Sequence, residues 1–336
     1  MSFDNLIFKK NLLTQSIGRI LYYFPNQITT TMEIAKEKLE KGKIKHGTMI
    51  LAEKQTKGQG RKNRTFISPS GNLYFTLILK PFSKKWYEDF LRYNIAAPLA
   101  VAETCNEIFE EKLNQNLNQN LNQNLDKNLN QNLNQKLNEN LNQNLNQNLN
   151  QNLNQNLDQK VDQNLNQNLN QKLVPKIAKI KWPNDIWVDS KKISGILMNN
   201  YCQDQERIFA LLGIGININS NPSDFDNSLQ SITTSLKQEI NESVSREGVL
   251  ALFCNKFENL IDSSQFSLEN LVHKFNQIDL TIGNTIIVIE GQNTYQAISR
   301  GLINNGCLLV ELENGTKREV SSADVSIKPE NYFEKK

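Results

Sequence analysis

The chain has 336 residues and a mass of 38.5 kDa, enough for one large domain or two ordinary ones, yet only 38% of it is hydrophobic and its mean hydropathy is −0.53. A formal charge of +3 leaves no basic face of the kind that drives phosphate-backbone binding, and no run approaches the roughly 18 apolar residues of a membrane span, so neither nucleic acid nor a membrane is expected as partner. Cys105, Cys202, Cys254 and Cys307 lie far apart in sequence and, with only His46 and His273, supply neither a disulfide framework nor a zinc spacing, which makes a reducing cytoplasm the expected setting.

In chain order, the Leu-Ile-Phe run near the N-terminus is too brief for a signal-peptide core. Residues 19–24 predict a short strand, 31–41 a charged amphipathic helix, 48–53 a second strand and 72–79 (NLYFTLIL) an apolar strand bounded by Gly71 and Pro81. Residues 94–113 carry apolar residues at helical spacing. After a long repeat, 175–188 reads as one strand, 193–201 and 207–217 as two more, and 247–260 as a helix. From about residue 279 the texture changes to short alternating strands separated by GQN, NNG and ENG turns, which predicts a small barrel and a boundary near 278.

The repeat holds the missing apolar content. From Leu113 to Leu173 the sequence repeats Asn-Leu-Asn-Gln, with Leu, or Val161 in its stead, at every fourth position. A four-residue step advances about 400° around a helix, so the leucine stripe drifts and no single seam forms. Asn is also a poor helix former, and residues 113–173 are expected to be a low-complexity insert, disordered or weakly helical, in a helix-to-strand connection. Loop-closure entropy grows only logarithmically with length, so such an insert is tolerated on a surface.

Two motifs carry chemistry. In KQTKGQGRKNR, Gly58 and Gly60 bracket Gln59 and precede Arg61, Lys62 and Arg64, so backbone N–H groups can approach an anion that the cations neutralise. The segment lacks the Gly-Lys-Ser/Thr of a Walker loop, and an ordinary mobile loop remains the alternative. In KWPND, Lys181 ends a strand and can present a fixed charge to a carboxylate and a phosphate; taken alone, Asn184 and Asp185 favour a strand-ending turn. The glycines of KKISGIL (191–197) and GIGININ (213–219) either let strands approach something closely or mark bulges.

The order of GQGRKNR, SPSGNLY, KWPND, KKISGIL, GIGIN and the C-terminal Ser299-Arg300-Gly301 with Gly306 resembles the biotin protein ligases, the biotin-[acetyl-CoA-carboxylase] ligases, over about residues 19–330. The resemblance implies an α+β fold: a catalytic domain like the class II aminoacyl-tRNA synthetases over 1–277, with mixed sheet and flanking helices, then an SH3-like barrel over 278–330. It implies that biotin and MgATP give biotinyl-5'-AMP and pyrophosphate, and that a lysine of a biotin carboxyl carrier protein then takes the biotin. Lys181 and Arg61 are the implied catalytic residues. Thr30, Thr31, Met32, Gln55, Gly58, Gln59, Gly60, Phe66, Asn184, Lys192, Gly195, Gly213, Gly215 and Asn217 complete the implied binding site for biotin, ATP and the adenylate. Metal ligands for Mg2+ are not assigned, and the assembly, a homodimer included, is left open.

The chain departs from the family pattern at Gln59, where Arg is more usual, at Asn63 for Gly, at Phe66 for Trp and at Met32 for Asn. Family members that repress transcription carry an N-terminal helix-turn-helix domain; 28 residues precede Thr29, too few for one, so repression is not expected. Two other readings stay open. One is a lipoate or octanoate enzyme of the same superfamily, against which stands the lack of an Arg-Arg-x-x-Gly-Gly-Gly segment. The other is an inactive scaffold built on the repeat.

Overall fold

In the computed structural model the described residues are 2–42, 44–146, 176–204, 207–262, 264–321 and 324–327. They divide into two compact units, Met1–Glu107 with Lys176–Lys336, and Ile108–Pro175. The first unit is built on β1 (Leu21–Phe24), β2 (Thr48–Ala52), β3 (Leu73–Leu79), β4 (Ala178–Lys181), β5 (Asp185–Val188), β6 (Lys191–Cys202) and β7 (Ile208–Ile216), in spatial order β1-β2-β3-β7-β6-β5-β4. Neighbours run antiparallel except β1 and β2, so the sheet is mixed. The helices are α1 (Asn5–Asn11), α2 (Thr31–Lys41), α3 (Trp86–Asn146), α4 (Asn227–Gln230), α5 (Leu236–Ile240), α6 (Arg246–Ile261) and α7 (Leu268–Gln277).

All seven residues of β3 are buried, which is why NLYFTLIL reads as a continuous apolar run instead of an alternation: helices cover both faces. On one face α2 sets Met32, Ala35 and Leu39 against Ile50, Ile78, Phe209 and Leu211. Thr30 caps this helix, its hydroxyl oxygen accepting from the Glu33 N–H at 2.9 Å. On the other face Phe75 meets Phe253 of α6 edge-on at 5.2 Å, and Phe253 stacks on Phe257 at 5.6 Å. At the end of β2, Arg246 Nη1 donates to both carboxylate oxygens of Glu53 at 2.9 and 2.8 Å, with 8% and 16% of the two side chains exposed. Nearby, the Asn72 side-chain oxygen accepts from the backbone N–H groups of Ile218, Asn219 and Ser220, tying the start of β3 to the loop after β7.

A second sheet follows: β8 (Thr285–Glu290), β9 (Asn293–Leu302), β10 (Leu308–Glu311), β11 (Lys317–Val320) and β12 (Asp324–Ile327), antiparallel in the order β11-β10-β9-β8-β12. Gly306 and Gly315 take φ of 83° and 79° in the turns that the NNG and ENG signals mark, a conformation that costs other residues a Cβ clash. The fold is therefore α+β, a mixed sheet with flanking helices and a separate C-terminal antiparallel sheet.

The expected single strand over 175–188 is corrected to a hairpin. Pro183 has no N–H to give a ladder, and residues 182–184 turn the chain between β4 and β5, with Lys181 paired to Asp185 across the turn. Helices that went unassigned in the sequence include α1, whose N-cap is Asp4, α5, which buries Leu236, and α7, which buries Leu271, Val272 and Phe275. Within the repeat, residues through Asn146 are helical in continuation of α3, while 147–173 lie outside the described residues. The drift of the leucine stripe forbids a seam with a partner, which a single helix does not need.

Between the two sheets, residues 278–280 run beside β4: the Ile180 N–H donates to Ile278 O at 2.9 Å and the Leu280 N–H to Ile180 O at 2.7 Å. Asp279, 9% exposed, accepts from the Thr281 N–H on one oxygen while the other is buried with no hydrogen-bond partner. Burial pushes its carboxyl up to about 6. The folded state thus holds this proton more tightly than the unfolded chain, so its contribution is fully present below the unfolded value near 4 and is lost as pH rises through about 6. Denaturant unfolding from pH 4 to 7 should show stability declining by about 2–3 kcal/mol from this group. Asp279→Asn should flatten that slope; an identical slope in the variant would assign it elsewhere.

Candidate active site

A cavity of about 200 Å³ opens on the α2 side of the seven-stranded sheet. Its floor is a consequence of side-chain alternation. Gly213 and Gly215 of β7 lie opposite Thr76 and Tyr74 of β3, and opposite Leu197 and Gly195 of β6, so Gly195, Gly213 and Gly215 share one face. Three missing side chains hollow that face. A Cβ on Gly215 would stand 2.5 Å from the Phe66 ring, one on Gly195 3.1 Å from the same ring, and one on Gly213 3.2 Å from the Met32 sulfur. Of the two readings left open for these glycines, close approach is the one the structure has.

The glycine-rich loop forms the roof. It folds back on itself, with the Phe66 N–H donating to Gly58 O at 2.8 Å and the Gly60 N–H to Arg64 O at 2.7 Å, and turns at Lys62 in a left-handed conformation of φ 53°. Gln59, Gly60, Arg61, Arg64, Thr65 and Phe66 line the cavity. At one end the N-terminus of α2 supplies Thr30, Thr31 and Met32, beside Gln55. The β4–β5 hairpin supplies Lys181, Trp182, Pro183, Asn184 and Asp185. The Lys181 ammonium lies 4.4 Å from the centroid of Trp187, which steadies the cation on a π face. Asn184 is pinned to β6 through its Nδ2, which donates to Ile196 O, and through its carbonyl, which accepts from the Ile196 N–H. Lys192 pairs with Asp185 at 2.7 Å and lies 5.9 Å from the Phe66 ring centroid. Tyr74 meets the Phe66 ring edge-on at 6.2 Å; its hydroxyl donates to Pro69 O at 2.7 Å, and burial drives its ionisation far above the usual phenol range.

Chemically, the wall brings four cationic residues, Arg61, Arg64, Lys181 and Lys192, and the carboxylate of Asp185 to one hollow that also holds hydroxyl and amide groups. Such a site can take a ligand with a polar head and an anionic tail, and can stabilise negative charge where that tail reacts.

The same chain matches the Biotin/lipoate A/B protein ligase family over residues 24–125 and the Biotin protein ligase C terminal domain over residues 281–328. Among similar proteins, the Bifunctional ligase/repressor BirA of Bacillus subtilis is 25% identical over 324 residues, spanning 94% of this chain and 76% of that protein. Biotin--protein ligase 2 of Arabidopsis thaliana is 22% identical over 317 residues, 92% of this chain and 74% of that one. The biotin protein ligase of Aquifex aeolicus, solved with biotin and ATP, shares the fold, with a TM-score of 0.62 at 22% identity over 92% of this chain and 99% of that chain.

Of the residues that resemblance to the ligase family implied, Gly58 and Asn217 are not on the cavity wall. Gly58 is buried beneath the loop, where a Cβ would fall 2.2 Å from the Phe66 carbonyl oxygen. Asn217 donates through Nδ2 to Thr234 O at 3.0 Å and through its backbone N–H to Ile193 O at 2.9 Å, so it fastens the end of β7. The rest line one cavity. Arg64, one of the loop cations noted in the sequence, also lines the cavity; among the residues outside the implied set are Thr65, Trp182, Pro183, Asp185, Ile196 and Ile214, each next to one within it, together with Phe75 and Leu197, and Val325 of β12, for which the sequence carries no signal.

The glycine floor yields a prediction. Gly215→Ala should destabilise by about 1–3 kcal/mol in denaturant unfolding, because its methyl overlaps the Phe66 ring, and the penalty should shrink in a Phe66→Ala background. Equal penalties in both backgrounds would show that the methyl meets something else.

Proposed function

We propose that this chain is an ATP-dependent biotin protein ligase. The biotin carboxylate oxygen attacks the α-phosphorus of ATP, the bond to the β-phosphate breaks and pyrophosphate leaves with biotinyl-5'-AMP formed. An acceptor lysine amine then attacks the acyl carbon, AMP leaves with the C–O bond electrons, and the amine proton passes to solvent. The acceptor we propose is the lysine of a biotin carboxyl carrier protein such as the one in acetyl-CoA carboxylase, and the place of work a reducing cytoplasm, which suits the four free thiols. No helix among the described residues is long and apolar enough to cross a membrane.

The observation that carries the reading is the convergence of Lys181 and Arg61 on one cavity wall with Thr30, Thr31 and Gln55 at its other end. Joining two anions requires cations aimed at the charge that develops at phosphorus, and these two residues come from separate elements to supply it. The loop that carries Arg61 roofs the hollow and can keep water from a mixed anhydride. The C-terminal match is to the biotin enzymes by name, which favours biotin over lipoate. Magnesium is proposed to arrive on the triphosphate, as the MgATP substrate.

Exchange of labelled pyrophosphate into ATP is the direct test, and it should depend on biotin and not on lipoate or octanoate. Lys181→Ala should lower that exchange by about 100-fold or more, the scale of losing one charge-stabilising group in a dry site; rates near wild type would remove Lys181 from the chemistry. Arg61→Gly should retain exchange but let the adenylate escape, read as biotin appearing on bystander amines of an added inert protein. Unchanged selectivity would deny Arg61 a retaining role.

A further inference from the structure

Behind the cavity wall runs a chain of hydrogen bonds in one direction. The Thr76 hydroxyl donates to the Thr31 hydroxyl at 2.8 Å, and Thr31 donates to the Gln55 side-chain oxygen, from its hydroxyl at 3.3 Å and its backbone N–H at 2.9 Å. The Gln55 Nε2 donates to the Ser68 hydroxyl at 3.2 Å, and Ser68 donates to the Phe66 carbonyl oxygen at 3.1 Å. Every donor points the same way, so each bond polarises the next. It begins at Thr76, buried under the N-terminus of α2, passes through Thr31 and Gln55 on the cavity wall, and ends on the backbone of the residue whose ring rests on Gly195 and Gly215. Gly58 leaves room for that carbonyl, since a Cβ there would lie 2.2 Å from it and 2.9 Å from the Ser68 oxygen.

Ser68 is the link that nothing else explains. It is 4% exposed, it is off the cavity wall, and its hydroxyl spends both its donor and an acceptor on this chain. We propose that Ser68 is a positioning residue that couples the Thr31–Gln55 end of the cavity to the seat of Phe66 and the loop that carries it. A polar head group entering at Thr31 and Gln55 must hydrogen-bond to the same side chains, so its arrival redistributes a chain whose last acceptor belongs to the roof. Occupancy at the head-group end thereby sets how firmly the roof is held over the reacting end. With biotin as that ligand, the proposal rests on the reading of the site as a biotin ligase.

The test uses the full chain and two variants, Ser68→Ala and Ser68→Thr, each first shown to unfold cooperatively. Without ligand, tryptic cleavage at Lys57, Arg61, Lys62 and Arg64 reports the population of the open loop. It should rise about five-fold in Ser68→Ala, the ratio one neutral hydrogen bond sustains, and return to wild type in Ser68→Thr, which keeps the hydroxyl. Unchanged cleavage in Ser68→Ala, or an equal rise in Ser68→Thr, overturns the coupling whatever the cavity binds. Saturating biotin should then slow cleavage in the wild type and much less in Ser68→Ala, with the biotin concentration for half-saturation shifted less than the cleavage ratio. A wild type that passes the first comparison and binds no biotin upholds the chain of hydrogen bonds and sinks the choice of ligand. If Ser68→Ala does not fold, Thr76→Val removes the first donor with its shape kept, and wild-type cleavage in that variant overturns the proposal.

Discussion

A central sheet normally fills the space above it with its own side chains, and the candidate site exists because β6 and β7 decline to do so at three neighbouring positions. Alternation along a strand places Gly213 and Gly215 on one face, and the antiparallel register brings Gly195 alongside them. Nothing else in the site could be where it is if that face carried three Cβ atoms. The Phe66 ring would be lifted off its seat, the Met32 sulfur would be crowded at the other end, and the loop that brings Arg61 over the hollow would have no place to close. The constraint is steric and local, yet it fixes the relation between the loop, the α2 N-terminus and the β4–β5 hairpin, because all three rest on the same floor.

Around that floor the charges are managed in two ways. Lys192 and Asp185 face each other across the hairpin at 2.7 Å while still partly open to solvent, an arrangement with a small energetic stake that leaves both groups able to meet a ligand. Arg246 and Glu53 are shut away, with Arg246 Nη1 between two carboxylate oxygens, and removing one partner there would strand a buried charge. The Tyr23 hydroxyl adds a donor to the same carboxylate at 3.1 Å. The first pair belongs to the site, and the second holds the end of β2 from which the chain runs on to Gln55 and the loop.

Much of this was legible in the sequence, for identifiable reasons. The helix over 31–41 could be bounded at both ends because Thr30 is a capping residue and Gly42 follows the last turn. β3 could be read because it is buried on both faces and flanked by breakers. Where the reading went astray, the deciding information was not local. The run 175–188 has the apolar alternation of one strand, and only the pairing of Lys181 with Asp185 shows it to be two. Asp185 was passed over in favour of its neighbour because a turn residue and a cavity residue look alike until the hairpin is folded. Asn217 was selected by its place after a glycine pattern; its Nδ2 donates to the backbone at Thr234, and its Oδ1 is buried with no hydrogen-bond partner. In the repeat, a drifting leucine stripe argued against a helical seam, and the helix through Asn146 needs no seam.

Val325 has an implication of its own. It is a buried residue of β12, the last strand among the described residues and an edge of the C-terminal sheet, and its side chain forms part of the same enclosure as Lys181 and Arg61. The smaller sheet is therefore no detachable ornament. Whatever loosens its edge strand opens the cavity from a direction that neither the glycine-rich loop nor the β4–β5 hairpin guards, so a lesion in β12 would disturb the enclosure with every residue of those two motifs intact.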